Sequence, residues 1–279
     1  MHTLQAVITG AIQGLSEFLP ISSSAHIVFS NTIYELVTGS EIQNTVNQEE
    51  IFFDIMVHLA TLIAVIIYFF KDLKIIIKDT VIAIKEKKQN ENSKTLLYIL
   101  LATFITGVIG LILKKPVETL IVNPKIICIL LAITGCILLF SEKMYKGDKK
   151  INLKNSVFIA IAQGLAIFPG FSRSGLTIST ALFQGINRVD GARFSFLMSI
   201  PVIALASLVY PILELNISEI ANFNLKAILL GFLTSFITGY LCIKYFMQLL
   251  KKITLKSFGC YCLFASVLMF LLFQVYYRV

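Results

Sequence analysis

The sequence is poor in charged residues. Only 14% of its 279 residues are Asp, Glu, Lys or Arg, and 57% are hydrophobic, with a mean hydropathy of +0.83. About a quarter of the residues in soluble domains are charged, so this composition excludes a soluble, disordered or collagen-like chain. A spanning helix needs about 20 apolar residues. The length therefore allows several such helices and predicts a polytopic membrane protein.

The sequence also lacks several functional signatures. Its five cysteines form neither a CxxC pair nor a metal-ligand spacing, and they lie in apolar stretches, so we expect buried thiols. The first thirty residues lack the basic start of a signal peptide, so we expect no cleavable leader. The net charge of +8 comes mostly from lysines in short loops between apolar runs. This distribution predicts membrane orientation rather than a nucleic-acid partner.

Six uninterrupted apolar runs are candidate spanning helices. They lie at about 51–70, 95–113, 125–141, 195–213, 225–243 and 258–277. Two further apolar stretches, 4–30 and 155–183, are interrupted by polar residues, proline and glycine.

Loop charge predicts the orientation of these segments. The loops with seven, five and four lysines, at 71–94, 142–154 and 244–257, are expected in the cytoplasm. Loops 31–50 and 214–224 contain glutamates but no lysine or arginine, so we expect them outside. Stretch 155–183 then begins and ends in the cytoplasm and must be a re-entrant hairpin. By the same reasoning, 4–30 is a hairpin that enters from outside.

The two interrupted stretches resemble each other. Residues 13–24 align with 163–174 without a gap at an offset of 150, with Gln, Gly, Leu, Phe and two serines in common. Because the hairpins enter from opposite sides, we predict an inverted-topology repeat whose broken helices meet near the midplane. The expected fold is a single all-α membrane domain over 1–279, with six transmembrane helices and two re-entrant helical hairpins. The first repeat spans about 1–141 and the second about 155–277.

The interruptions themselves predict an anion site. Pro20 should end the first helix, and the serines after it are residues that favour a helix start. Pro169 and Gly170 precede a similar serine pair around Arg173. Helix N-termini bind phosphate, and a buried arginine strengthens such a site. The predicted phosphate-binding residues are Ser22, Ser24, Ser172, Ser174, Gly175 and Thr177.

Three other side chains could carry chemistry. Glu17 lies one helical turn after Gln13 and could ligate a divalent cation, act as an acid or base, or pair with Arg173. His26, one turn beyond Ser22, is a candidate proton-transfer group. Serine, carboxylate, imidazole and guanidinium together suit phosphoryl transfer. They suit an anion transporter equally well, so both functions remain open at this point.

Residues 13–26 resemble the [E/Q]-x-x-x-E and serine–histidine region of the undecaprenyl-diphosphatase, or bacitracin-resistance, family. Residues 169–177 resemble that family's P-G-x-S-R-S-G motif, and the resemblance runs along the whole chain. It implies removal of the terminal phosphate of undecaprenyl diphosphate, which recycles the lipid carrier for peptidoglycan synthesis and confers bacitracin resistance. It also implies a location in the bacterial cell membrane, with the site facing outside.

The resemblance assigns a role to each candidate. Glu17 and Gln13 belong to an acidic motif that holds Mg²⁺ or Ca²⁺, Ser23 to the nucleophile, His26 to the acid or base, and Arg173 to the phosphate clamp. Gln13 stands where many members have Glu, which leaves a metal site one carboxylate short. Ala25 stands where glycine is usual, which places in doubt a close approach of the backbone to the diphosphate.

The alternatives differ in what they require. A transporter or flippase of anions or polyprenyl phosphates would use the same inverted repeat. An acid phosphatase of the Lys-x₆-Arg-Pro type needs a second histidine late in the chain, and none follows His58. We expect His58, on an uninterrupted helix, and the terminal His2 to be structural. The expected partners are a polyprenyl diphosphate and membrane lipids; assembly into a homo-oligomer is left open.

Overall fold

A computed structural model describes residues 2–39, 48–120, 123–145, 147–214 and 222–276. These residues form eleven helices and contain no β-sheet. The helices of the first half are α1 (Thr3–Phe18), α2 (Ser23–Thr38), α3 (Gln48–Tyr68), α4 (Phe70–Lys85), α5 (Glu91–Leu120) and α6 (Pro124–Met144). Those of the second half are α7 (Leu153–Leu165), α8 (Arg173–Phe183), α9 (Arg188–Glu214), α10 (Leu225–Leu249) and α11 (Lys256–Tyr276).

Six of these helices are long and apolar enough to cross a membrane. They are α3, α5, α6, α9, α10 and α11, and each overlaps one of the six predicted apolar runs. The prediction of an all-helical polytopic membrane protein with six spanning helices is confirmed. The helices extend beyond the apolar runs because their polar ends continue the same backbone hydrogen bonding.

Most of the predicted loop 71–94 is helical. Helix α4 occupies Phe70–Lys85, and it buries Ile76 and Ala83 while its lysines remain exposed. These two residues lie seven apart and therefore share one face of the helix. The number of lysines showed the positive charge of this segment. It did not show that the apolar residues recur at the spacing of a helix.

The two predicted helix breaks are present. Helix α1 ends at Phe18, two residues before Pro20, and Ser22 then caps α2 by accepting a hydrogen bond from the backbone N–H of Ala25 at 3.3 Å. Ser172 caps α8 in the same way, through the N–H of Gly175 at 3.1 Å. Because each serine replaces a missing intrahelical partner, the chain restarts as a helix within a few residues.

Helices of the first half of the chain pack against helices of the second half. Helix α1 packs most extensively against α10, and its counterpart α7 packs against α5. Helices α6 and α11 pack against each other, as do α3 and α9. Such a pattern fits two repeats related by an approximate two-fold axis. The membrane sides assigned from loop charge stay predictions, and parts of loops 31–50 and 214–224 lie outside the described residues.

Glycines allow α1 and α10 to approach closely. A Cβ atom added to Gly10 would lie 2.3 Å from the carbonyl oxygen of Gly231, and one added to Gly14 would lie 2.4 Å from that of Ser235. No larger side chain fits at these positions without displacing backbone. Small residues therefore fix the position of α1, the helix that carries Gln13 and Glu17.

The cysteines follow the expectation only in part. All five are free thiols; Cys128, Cys242 and Cys262 are buried, but Cys136 and Cys260 are exposed. The latter two lie on outward faces of α6 and α11, where an apolar surface is compatible with a surrounding membrane.

Candidate active site

The tips of the two broken hairpins meet. The backbone N–H of Gly170 donates to Ser24 Oγ at 3.3 Å, and Ser174 Oγ donates to the carbonyl of Leu19 at 2.9 Å. These two bonds join residues about half a chain length apart in sequence. The predicted meeting of the two breaks is thus observed.

Glu17 lies at the centre of this junction. Its carboxylate accepts from Arg173 Nη2 at 2.5 Å, from Gln13 Nε2 at 3.0 Å and from Ser23 Oγ at 3.2 Å. The side chains of Glu17 and Arg173 are only 8% and 17% exposed. The first half of the chain therefore supplies a carboxylate and a hydroxyl, and the second half supplies the compensating cation.

A cavity of about 250 Å³ opens beside this pair. Its volume is several times the roughly 30 Å³ that one water molecule occupies in the liquid, so a phosphate group fits. Its polar lining consists of Ser16, Glu17, Ser22, Ser23, Ser24, His58, Ser172 and Arg173. Four apolar residues, Ala166, Ile167, Pro169 and Phe171, complete the wall.

Two buried polar atoms at this site have no hydrogen-bond partner among the described residues. They are Arg173 Nη1 and Gln13 Oε1. A buried guanidinium N–H without an acceptor is unfavourable. Arg173 is therefore ready to bind an anion with Nη1 while Nη2 remains on Glu17. The N-termini of α2 and α8 add backbone N–H groups at the same place.

The structure brings together most of the predicted site residues but not all. Ser174, Gly175 and Thr177 do not line the cavity. Ser174 is bonded to the opposite hairpin, Gly175 packs against Ser172, and Thr177 Oγ1 is 2.6 Å from Ser195 Oγ. Their predicted phosphate contacts stay predictions; in this structure the three residues support the turn behind the cavity.

His26 does not line the cavity. Its Nδ1 is 2.8 Å from the carbonyl oxygen of Ser22 and its Nε2 is 2.7 Å from the hydroxyl of Tyr261. The imidazole also stacks on the Tyr261 ring. Because a carbonyl only accepts, Nδ1 carries the proton, and in the neutral ring Nε2 accepts from Tyr261. The ring borders an apolar groove of about 550 Å³ between α1, α2 and α11.

His58 lies in the cavity wall, although the sequence predicts a structural role for it. Its Nδ1 is 2.8 Å from the carbonyl oxygen of Asp54, one turn earlier on α3. The only sequence signal was an acid four residues before a histidine on an otherwise apolar helix. The packing of α3 beside the hairpins, which places the imidazole at the site, could not be deduced from that spacing.

The protein side chains do not by themselves fit a divalent cation. The described residues contain no group of three His, Cys, Asp or Glu side chains that could hold one. Glu17 is the single carboxylate in the cavity wall, and three donors, one of them the Arg173 cation, already occupy it. Among the described residues, Gln13 Oε1 is the one buried oxygen beside Glu17 that has no hydrogen-bond partner. The predicted Mg²⁺ or Ca²⁺ requirement stays a prediction.

Comparison with known proteins places this geometry in a family. The family model described as bacitracin resistance protein BacA matches residues 6–268. Proteins named undecaprenyl-diphosphatase are similar over nearly their whole length: 35% identical in Methanosphaera stadtmanae over 98% of each chain, and 38% identical in Korarchaeum cryptofilum over 96% of this chain and 98% of the relative. A protein named undecaprenyl-diphosphatase 2 from Halalkalibacterium halodurans is 34% identical over 98% and 97%. Because the family model covers nearly the whole chain and these relatives are similar over almost their full length, the chain belongs to the bacitracin resistance protein BacA family.

Proposed function

We propose that this membrane protein hydrolyses undecaprenyl diphosphate to undecaprenyl phosphate and inorganic phosphate, and so recycles the lipid carrier of peptidoglycan synthesis. The observation that carries the proposal is the junction of Glu17, Ser23 and Arg173 beside a phosphate-sized cavity. The relatives' shared name, undecaprenyl-diphosphatase, agrees with this chemistry. No comparison favours the transporter alternative.

The two ends of the substrate, its terminal phosphate and its isoprenoid tail, would bind at different places. Arg173 Nη1 and the N-terminal N–H groups of α2 and α8 would hold the terminal phosphate. The apolar groove between α1, α2 and α11 would receive the first part of the isoprenoid tail, because it is walled by side chains such as Ile8, Phe29 and Leu268. The site would face the outer side of the membrane, as the family resemblance implies.

Ser23 is the proposed nucleophile. Its hydroxyl donates to Glu17 Oε2, so the carboxylate can take the proton as Oγ attacks the terminal phosphorus. The bond between that phosphorus and the bridging oxygen breaks, and polyprenyl phosphate leaves. Arg173 neutralises the developing negative charge, which is the main source of rate enhancement in phosphoryl transfer. His26 would join in proton transfer only after its Nε2 leaves Tyr261.

A divalent cation would arrive with the substrate. A diphosphate offers oxygen ligands that suit Mg²⁺, which commonly binds through substrate phosphates and few protein ligands. The chemistry that such a cation supplies is neutralisation of phosphate charge.

The test is phosphate release from a polyprenyl diphosphate by the purified protein in detergent, with and without chelator. Glu17→Ala, Ser23→Ala and Arg173→Ala should each lower kcat/KM by at least about 100-fold, as expected when a transition-state contact is removed. The matched controls are Glu91→Ala and Lys150→Ala, which break an ion pair whose side chains are 81% and 83% exposed. A folded parent protein without phosphate release would contradict the proposal, as would controls that lose as much activity as the site variants.

A further inference from the structure

We propose that His58 accepts the proton of the water molecule that hydrolyses a phosphoserine formed at Ser23. The inference rests on the proposed function and assigns a second base to the same site. It starts from the position of His58, which lines the cavity together with Ser23, Glu17 and Arg173.

As long as Glu17 keeps the proton of Ser23, the second half of the reaction requires a base other than Glu17. When Ser23 attacks, its proton passes to Glu17, the acceptor of its hydrogen bond. In the phosphoserine state Glu17 is therefore protonated and holds the proton that Ser23 Oγ must regain. It cannot accept another proton from the attacking water at the same time. A second acceptor is needed at the cavity.

His58 has the free basic atom that this step needs. Its Nδ1 is bonded to the Asp54 carbonyl, which can only accept, so Nδ1 carries the proton and Nε2 carries the lone pair. Within the described part of the chain, no hydrogen-bond partner occupies Nε2. By contrast, Nε2 of His26 is bonded to Tyr261, and His26 lies outside the cavity.

Two nearby carboxylates would stabilise a transient imidazolium at His58, and the Arg173 cation would oppose it. The titratable and charged groups near it are Asp54 on its own helix, Glu17 on α1 and Arg173 on α8. Asp54 Oδ1 is 3.5 Å from Nδ1 and would stabilise the cation. The His58 side chain is 32% exposed and that of Asp54 is 61% exposed.

The step balances in atoms and charge. The water oxygen bonds to phosphorus as the bond between phosphorus and Ser23 Oγ breaks. One water proton goes to His58 Nε2, and the proton on Glu17 returns to Ser23 Oγ. Hydrogen phosphate leaves, and the imidazolium releases its proton to solvent.

The test separates the two half-reactions by rapid quench with substrate labelled in the terminal phosphate. In His58→Ala, polyprenyl phosphate should appear in a burst of one equivalent at the parental rate. Steady-state phosphate release should fall about 100-fold, the usual loss when a positioned base is removed. Labelled phosphoenzyme should accumulate, and added imidazole should speed its breakdown. His2→Ala is the matched histidine control.

Other outcomes would overturn the proposal. Unchanged steady-state release in His58→Ala would show that His58 accepts no proton, and an equal loss in both half-reactions without phosphoenzyme would indicate a structural role. His58→Gln, which keeps polarity and similar bulk, should reproduce the burst; its failure to do so while folded would also overturn the proposal. Failure of the proposed function would appear separately, as a parent protein that releases no phosphate.

Discussion

At the residue scale, the site depends on the different partners of the two terminal nitrogens of Arg173. Nη2 is committed to Glu17, while Nη1 is buried without a partner among the described residues. A planar guanidinium can serve a carboxylate and a phosphate at once because its donors point in fixed, different directions. The ammonium of lysine is a single point charge on a flexible chain and cannot reproduce both contacts.

We therefore expect Arg173→Lys to lower kcat/KM by about 100-fold, close to the loss in Arg173→Ala, although the positive charge is kept. Steady-state phosphate release measures this effect. As a control, Lys149→Arg makes a charge-conserving change at an exposed position remote from the cavity. Near-parental activity of Arg173→Lys would mean that charge alone, and not the geometry of the donors, binds the phosphate.

The contact between Tyr261 and His26 distinguishes proton transfer from positioning. Tyr261→Phe keeps an aromatic ring for stacking but frees His26 Nε2. If His26 transfers protons, His26→Ala should lower kcat by about 10-fold to 100-fold, whereas Tyr261→Phe should stay within about 3-fold of the parent. The measurement is the pH dependence of kcat for both variants. Equal losses would indicate instead that His26 acts by anchoring α2 to α11.

At the element scale, α1 is a rigid support for the catalytic carboxylate. Its glycines lie against the backbone of α10, and Glu17 follows on the last turn of the same helix. Any change that separates the two helices moves Glu17 relative to Arg173, which belongs to the other hairpin. Catalysis is sensitive to such shifts, since a displacement of about 1 Å can cost 100-fold in rate.

Gly10→Ala and Gly231→Ala should therefore each reduce activity at least about 10-fold and destabilise the fold by about 2 kcal/mol through overpacking. Gly107→Ala is the matched control, because a Cβ atom at Gly107 in α5 meets nothing within 4 Å. Thermal unfolding in detergent and phosphate release measure the two effects. Parental behaviour of Gly10→Ala would show that α1 and α10 can separate without moving the site.

A second ion pair holds the helix ends far from the chemistry. Glu142 at the end of α6 accepts from Arg188 Nε at 2.7 Å and Nη2 at 2.5 Å, and also from the backbone N–H of Leu255 at 2.8 Å. Its side chain is only 1% exposed. This one carboxylate therefore connects α6, the start of α9 and the segment before α11.

Glu142→Gln should destabilise the protein by about 3 kcal/mol, because it leaves a partly buried arginine without its counter-charge. The expected result is a lower melting temperature with an unchanged KM, since the pair is not part of the cavity. Glu86→Gln, which neutralises an exposed acid directly after α4, is the control. A changed KM at an unchanged melting temperature would contradict this assignment.

At the scale of the whole molecule, neither half of the chain has a complete site. The first half contributes Glu17, Ser23 and His58, and the second half contributes Arg173 and Ser172. Chain breakage between the halves, after the exposed Asp148, should give two inactive fragments. Co-expression should restore phosphate release, because α1 packs on α10 and α7 packs on α5. Activity of either fragment alone would contradict a shared site.

Local signals predicted much of this architecture, and long-range packing accounts for what they missed. Pro20 and the capping serines predicted the breaks in the two helical hairpins, because a helix cap depends on residues that are adjacent in the sequence. A buried arginine needs a counter-charge, and the sequence indicated pairing with Arg173 as one of the possible roles of Glu17. In contrast, the partner of His26 is 235 residues away, and His58 reaches the cavity only through the packing of α3. Neither contact can be predicted from the spacing of residues in the sequence.

The hydrogen bond from Arg173 Nη2 to the Glu17 carboxylate also affects the release of the second product, inorganic phosphate. Free phosphate, without an isoprenoid tail to hold it, meets a guanidinium with only Nη1 to offer and a neighbouring negative charge on Glu17. Its retention is therefore weak, whereas the lipid substrate gains additional affinity from its tail. We therefore expect inorganic phosphate to inhibit this enzyme only weakly.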